Sequence, residues 1–564
     1  MATAIALAVV AAACSSLPTA SAPHAASVDV PAVAHPGGET PEWWFRSGAA
    51  AALQARADSR AEAKNVIVFL GDGMSLSTIA AARILEGQRD GASGEERRLS
   101  FETFPYTALS RTYETDLQTP DSAGTMTAIM TGVKTRGGVI GVNQRAERGN
   151  CASSRGNEAV TALELAAVAG MATGVVTTTR ITHATPAATY AHLPERNWEY
   201  DTTLPAEAVE QGCVDLARQL VEFPFGGGLN VALGGGRTEF MPAPQPDPEY
   251  QGLIGKRLDR RDLIAEWSAR PGAAYVWNAQ QLAAIDPART THLLGLFEPE
   301  HLRYEHERAA DPAGEPSLAE MTRSAIDLLK RNPNGYFLMV EGGRIDHGHH
   351  AGNAYRALTE TIAFSDAVRV ADAMTSADDT LILVTADHSH TMTFAGYPVR
   401  GNPILGLVRG AAGEEVRGSE PARDATGRPY TTLGYASGPG YVGASNRQPE
   451  GPKRYPHLAS SQAMAEHGRP SLDHVDTTDP DYLQEAMLPL GSETHSGEDV
   501  AVFARGPGAG AVHGSLEQNA LFHLIAQQSG PIRRRLCDLG SCDARGVPVD
   551  LPSYRALRDR FGGH

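Results

Sequence analysis

The sequence predicts an α/β fold, a central and mostly parallel sheet flanked by helices and interrupted by an inserted subdomain, and three observations carry that prediction. Four largely apolar runs of strand length, 65–70, 172–177, 335–341 and 380–385, lack the alternation of a half-solvated strand and so suit a sheet covered on both faces. Helical stretches neighbour each of them: 77–86 follows the first, and 159–170, 317–330 and 356–373 precede the others. The composition, 42% hydrophobic with 58 Gly and 36 Pro, is that of a loop-rich globular chain with a sizeable core.

A chain of 564 residues is long for a single core, but one large α/β domain with an insertion accommodates it. Residues 1–22 read as an export signal or lipoprotein leader. The apolar run from Met1 to Cys14 is too short to span a bilayer, and it lacks a basic start. Cys14 follows small apolar residues, as in a bacterial lipoprotein box, so it is either lipidated or discarded with the leader. The expected location is outside the cytoplasm: periplasmic, secreted or held at the cell surface through a lipid on Cys14. Residues 23–40 form a linker, and 41–63 a helix opened by Thr40 as N-cap with Pro41 at its first position. The catalytic core is expected over 41–395 and again over 491–564. Between them, 396–490 turns rich in Gly, Pro, Arg and Ser with little periodicity, the mark of an irregular insertion. The four cysteines beyond the leader allow three pairings, and chain order joins Cys151 to Cys213 and Cys537 to Cys542.

Asp and Glu outnumber Lys and Arg by 66 to 49, a net charge of −17, which argues against nucleic acid as a partner. An anionic small molecule remains compatible with that charge if bound cations reverse its local sign. Metal ligands are therefore the residues to seek.

Five polar clusters stand out, several where an apolar run stops: Asp72; Asp121 with Ser122; Glu341 with Asp346, His347, His349 and His350; Asp387 with His388; and Glu493 with His495. Singly, each has an ordinary explanation as a helix cap or a solvated turn. Together they offer carboxylates and imidazoles without thiolates, the ligand set of a hydrolytic zinc site.

In the segments 69–74, 120–124, 340–350 and 385–390, and in their order, the chain resembles the alkaline phosphatases from about Pro41 to Cys542. The segments 177–186, 196–198 and 498–507 are closer to the animal branch. The resemblance implies an alkaline-phosphatase-like fold whose insertion at 396–490 is the crown, and a homodimer embraced by the helix at 41–63. It implies phosphate monoesters as substrates, with Ser122 as the nucleophile that becomes a phosphoserine and Arg196 gripping phosphate oxygens. One zinc is then expected on Asp346, His350 and His495, a second on Asp72, Asp387 and His388, and a magnesium on Asp72, Thr185 and Glu341. His183 and His347 stand behind these ligands, where the animal enzymes carry histidines, and imply an alkaline optimum. A calcium site is implied by Glu249, the Phe297 carbonyl, Glu298 and Glu315, with Asp311 competing for the last place because 307–315 carries a short insertion. His349 and His390 have no role among the family's direct ligands. The rivals are a phosphodiesterase or sulfatase of the same superfamily, which would change the nucleophile and lack the arginine, and a metal-loaded surface protein without turnover.

Overall fold

The computed structural model describes residues 27–33, 37–55, 62–412, 415–445, 447–457 and 469–563. Cys14 and the leader lie outside the described residues.

Ten strands make one sheet. In chain order they are β1 (Asn65–Gly71), β2 (Tyr106–Arg111), β3 (Ala172–Arg180), β4 (Val231–Gly235), β5 (Ala273–Val276), β6 (His292–Leu296), β7 (Tyr336–Gly342), β8 (Thr380–Thr385), β9 (Val500–Arg505) and β10 (Ser515–Glu517). Their spatial order is β10-β2-β9-β8-β1-β7-β3-β4-β6-β5. Only β9 runs against its neighbours, pairing antiparallel with both β8 and β2. The middle strands β7 and β8 are buried at every residue, and β1 and β3 at all but a terminal one, as a sheet covered on both faces requires. Two large apolar clusters fill the two faces. One contains Val66, Val68 and Leu70 of β1, and the other Ile67 and Phe69 of the same strand.

The helices that matter to the site are α1 (Pro41–Gln54), α2 (Leu76–Arg89), α3 (Ser122–Thr131), α4 (Ala184–Tyr190), α5 (Leu318–Leu329), α6 (Arg344–His350) and α7 (Ala354–Met374). Thr40 caps α1, accepting a hydrogen bond from the Trp43 N–H, and Pro41 opens it. This helix ends at Gln54, and by Ala63 the backbone already donates to Gln528 O at 2.8 Å, so the turn into β1 begins before the expected helix end at 63. Ser317 and Glu320 form a capping box on α5, whose apolar side covers β3.

Between β8 and β9 the chain forms short strands, Met392–Phe394, Arg409–Ala412, Glu415–Pro421, Leu433–Gly438 and Ala486–Pro489, in two small sheets apart from the large one. The Cys151–Cys213 and Cys537–Cys542 disulfides are formed. No helix among the described residues is long and apolar enough to cross a membrane.

Candidate active site

Four adjacent strands, β8, β1, β7 and β3, end at one edge of the sheet, where α/β proteins place ligands. Asp72 follows β1, Glu341 closes β7 with α6 just beyond it, Asp387 and His388 follow β8, and His183 and Thr185 follow β3. Parallel register brings residues hundreds of positions apart in sequence to one place.

His388 Nε2 is a focus of that place. It lies 3.1 Å from Ser122 Oγ, 3.3 Å from Asp72 Oδ1 and 3.4 Å from Asp387 Oδ2. The other oxygen of Asp387 accepts from the backbone N–H groups of Gly73 and His388, which fixes the carboxylate's orientation. Gly73 has a φ of +68°, and a Cβ there would meet His390 Cδ2 at 2.3 Å, so the turn after β1 requires glycine twice over.

Asp346 Oδ1 is the second focus, 3.3 Å from His350 Nε2 and 3.4 Å from His495 Nε2. The two histidines lie with their Nε2 atoms 3.1 Å apart. Each donates its Nδ1–H to a backbone carbonyl, His350 to Glu493 at 2.6 Å and His495 to Pro120 at 2.7 Å, which leaves the Nε2 lone pairs facing one another. The His388 and His495 rings stack at 3.6 Å and join the two foci.

A third group lies deeper. Asp72 Oδ2, Thr185 Oγ1 and Glu341 Oε1 are buried without a hydrogen-bond partner, while Glu341 Oε2 is taken up by Thr177 and Thr179. His183 approaches Asp72 and Glu341 closely enough to share an ion with them. Burial, with the neighbouring Asp387, Asp346 and Glu341 carboxylates, pushes Asp72 well above the usual range, and burial raises Glu341 to about 7. Lone pairs aimed at one another and carboxylates that repel one another are what divalent cations collect. The donors fit the two zinc sets and the magnesium set expected above.

Ser122 is the first residue of α3, and Asp121 caps that helix by accepting from the Ala123 N–H at 2.9 Å. Asp121 also pairs with Arg196 Nη1, and Arg196 Nη2 stands 3.2 Å from His183 Nε2. Arg196 is thus held between Asp121, the residue before Ser122, and His183. His347 contacts Arg344 through Nδ1 at 2.8 Å, and its ring lies 5.5 Å from that of His183 and 4.3 Å from that of His301.

Away from this edge, carboxylate oxygens of Glu249, Glu298 and Asp311 lie within 4.8 Å of one another. Arg237 pairs with Glu249 and also donates to the Phe297 carbonyl at 3.2 Å, and Arg303 reaches both Glu298 and Asp311 at 3.2 Å. Glu315 stands outside this trio. It accepts the Arg303 backbone N–H at 2.9 Å, and burial pushes it up to about 9.

A family model for alkaline phosphatase matches residues 63–530. The chain belongs to the alkaline phosphatase family. It is 44% identical over 490 residues to an alkaline phosphatase of Gadus morhua, covering 86% of this chain and 95% of the relative. It is also 44% identical over 474 residues to the tissue-nonspecific isozyme of Rattus norvegicus, 83% of this chain and 84% of that one. Among solved structures, the alkaline phosphatase of Thermus thermophilus matches with a TM-score of 0.59 at 25% identity, over 85% of this chain and 94% of its own. That of the Antarctic bacterium TAB5 shares the fold, with a TM-score of 0.54 at 23% identity over 83% of this chain and 99% of its own. The α/β architecture and the resemblance to the animal enzymes are both borne out. The chain is an alkaline phosphatase, an enzyme of phosphate monoester hydrolysis.

Several residues of this alkaline phosphatase's site had no role assigned from sequence. His390 meets Asp346 through Nε2 at 2.7 Å and Glu493 through Nδ1. Burial favours the neutral ring, but Glu493 and Asp346 outweigh it and raise His390 to about 10. Thr177 and Thr179 hold Glu341, and the signal for them was the Thr run at the end of a buried strand, where period two turns alternate residues to one face. His301 packs edge-on against His183 and His347. Its segment carries no sequence mark beyond its place after Glu298.

Proposed function

We propose that this phosphatase works through a phosphoserine. Ser122 Oγ attacks phosphorus as the bond to the ester oxygen breaks. The alcohol leaves with a proton, and water then cleaves the phosphoserine to release inorganic phosphate and restore the serine. Asp346, His350 and His495 would hold one zinc, Asp72, Asp387 and His388 the second, and Asp72, Thr185 and Glu341 a magnesium. Bound there, the metals would lower the pKa of the serine hydroxyl and of water and neutralise the charge on the transferring group.

The observation that carries this reading is the placement of Ser122. Its hydroxyl is 3.1 Å from His388 Nε2, at the first position of α3, where the helix dipole favours the anionic oxygen. Arg196, braced by Asp121 and beside His183, is set to take two phosphate oxygens through its planar fork. The backbone carbonyls of Glu493 and Pro120 hold the tautomers that leave Nε2 of His350 and His495 free to ligate. Thr177 and Thr179 orient Glu341, and His183 and His347 shape the space behind it.

A serine beside a paired arginine favours a monoesterase over a diesterase or sulfatase. Calcium on Glu249, Glu298 and Asp311, a homodimer through α1 and the 396–490 crown, and export by the leader belong to the same reading. Metal analysis with an aryl phosphate assay tests the core of it. Wild type should carry zinc and turn over, and Ser122→Ala should lose about a thousandfold or more of kcat/KM while keeping its metal. Full activity in that variant would overturn the covalent route.

A further inference from the structure

Glu114 lies behind the nucleophile helix and takes no part in the mechanism above. Its side chain is lodged between Gly124 of α3 and Gly137. A Cβ at Gly124 would come within 2.1 Å of Glu114 Oε1, and one at Gly137 within 3.0 Å of Oε2, so the two glycines make a seat for this carboxyl. The residue is 5% exposed, and no side chain completes a hydrogen bond to either oxygen. A buried carboxylate with so little hydrogen bonding costs several kcal/mol, so the seat as built suits a neutral acid.

Asp121 and Asp116 oppose its ionisation and Arg196 favours it, and its charge in turn favours the protonated form of Lys134. Asp121 is the residue that caps α3 and braces Arg196, and Asp116 accepts the Gly137 N–H at 3.0 Å. A charge arising in the glycine seat is therefore felt by Asp121 and, more weakly, by the Arg196 that Asp121 braces.

We propose that the Glu114 carboxyl is a positioning residue which sets how tightly the Asp121–Arg196 pair holds the phosphoryl group, tight while it carries its proton and looser once it has lost it. Burial first, then Asp121 and Asp116, push the acid up to about 9, against the Asp121 amide and Arg196. Its ionisation falls within an alkaline working range. A carboxylate formed there lowers the positive potential at Arg196 and repels a phosphate dianion, so product release eases as pH rises. The inference deepens the reading of Arg196 as the phosphate clamp and rests on it.

The test is inhibition of the metal-loaded, full-length enzyme by inorganic phosphate, measured from about pH 7 to about pH 10. Glu114→Gln and Glu114→Asn keep the seat filled and neutral. In them the weakening of phosphate inhibition across that range should shrink by about threefold or more relative to wild type, and Glu114→Asp should restore the wild-type slope. Either amide variant suffices if the other does not fold. Profiles that overlay the wild type overturn the inference, as does a uniform shift at every pH, which would mark a merely structural role. Arg196→Ala in the same series separates the two readings. If it leaves phosphate inhibition unchanged the clamp itself is wrong. If it abolishes the inhibition while the amide variants follow wild type, only the role of Glu114 fails.

Discussion

His390 stands between two carboxylates, with Nε2 2.7 Å from Asp346 Oδ1 and Nδ1 against Glu493. As an imidazolium it donates to both, which aims Asp346 at His350 and His495 and draws off part of its charge. Replacing it with Ala should leave a fold that melts cooperatively but binds zinc about 10- to 100-fold more weakly. Competition with a graded chelator measures this, and wild-type resistance to the chelator would remove His390 from the support of the site.

Asp121 serves two ends, as cap of α3 and as partner of Arg196. Asp121→Asn keeps a capping oxygen and loses the charge, so it should raise KM for an aryl phosphate by about tenfold with little change in melting temperature. Asp121→Ala loses the cap as well and should also cost about 1 kcal/mol of stability. Equal KM values for Asn and wild type would show that Arg196 needs no anionic brace.

Removing the metals should change how stability follows pH. In the metal-free protein burial and the neighbouring carboxylates hold Asp72 well above its ordinary 3.8. A raised acid contributes stability below its unfolded value and loses it as pH climbs through the folded one. The apoenzyme should therefore grow less stable from about pH 4 upward, and adding zinc and magnesium should reverse most of that fall near neutrality. Thermal melts of apo and loaded enzyme across pH provide the check, with parallel curves as the opposing result.

Glu360 offers the same test away from the metals. It sits inside α7, accepts the Glu305 backbone N–H, and is raised by burial from 4.5 to about 8. By the same sign its contribution is present below pH 4.5 and is lost as pH rises through about 8. Glu360→Gln keeps the acceptor and cannot ionise, so its melting temperature should fall less than that of wild type across this window. Identical slopes would count against a buried, proton-holding Glu360.

At the acidic trio, Asp311 rather than Glu315 lies with Glu249 and Glu298. If calcium binds there, Asp311→Asn should abolish a calcium-dependent rise in melting temperature and Glu315→Gln should keep it. The opposite pattern would place Glu315 in the site and require the 307–315 segment to close differently around the ion.

Much of this was readable before any coordinates. The buried strands 65–71, 336–342 and 380–385 announced themselves as apolar runs, and the acids and imidazoles that follow them mark where such runs stop. The outer strands were harder: Tyr106–Arg111 buries Ala108 and Ser110 while Tyr106 and Leu109 stay exposed, and Ala273–Val276 is short and half-buried, so neither shows an apolar alternation in its sequence. His390 carries no mark of its own, because its role is to hold a ligand, and a histidine whose hydrogen bonds go to carboxylates looks like any other in sequence. Glu114 was invisible for a similar reason. Its meaning depends on Gly124 and Gly137 lacking side chains where its oxygens lie, a fact about space rather than spacing.

The antiparallel strand β9 lies between β8 and β2, and His495 precedes it by only a few residues. The groups around the second focus are thus delivered by segments that leave the ribosome at very different times, Asp346 and His350 early and His495 near the end. A chain stopped before His495 would hold the parallel strands from β8 to β5 yet lack one imidazole of the set, with β8 showing a bare edge and β2 left without either of its partners, β9 and β10. A metal held by this focus would therefore require that the chain be made past His495, so a partly made enzyme would lack the full ligand set.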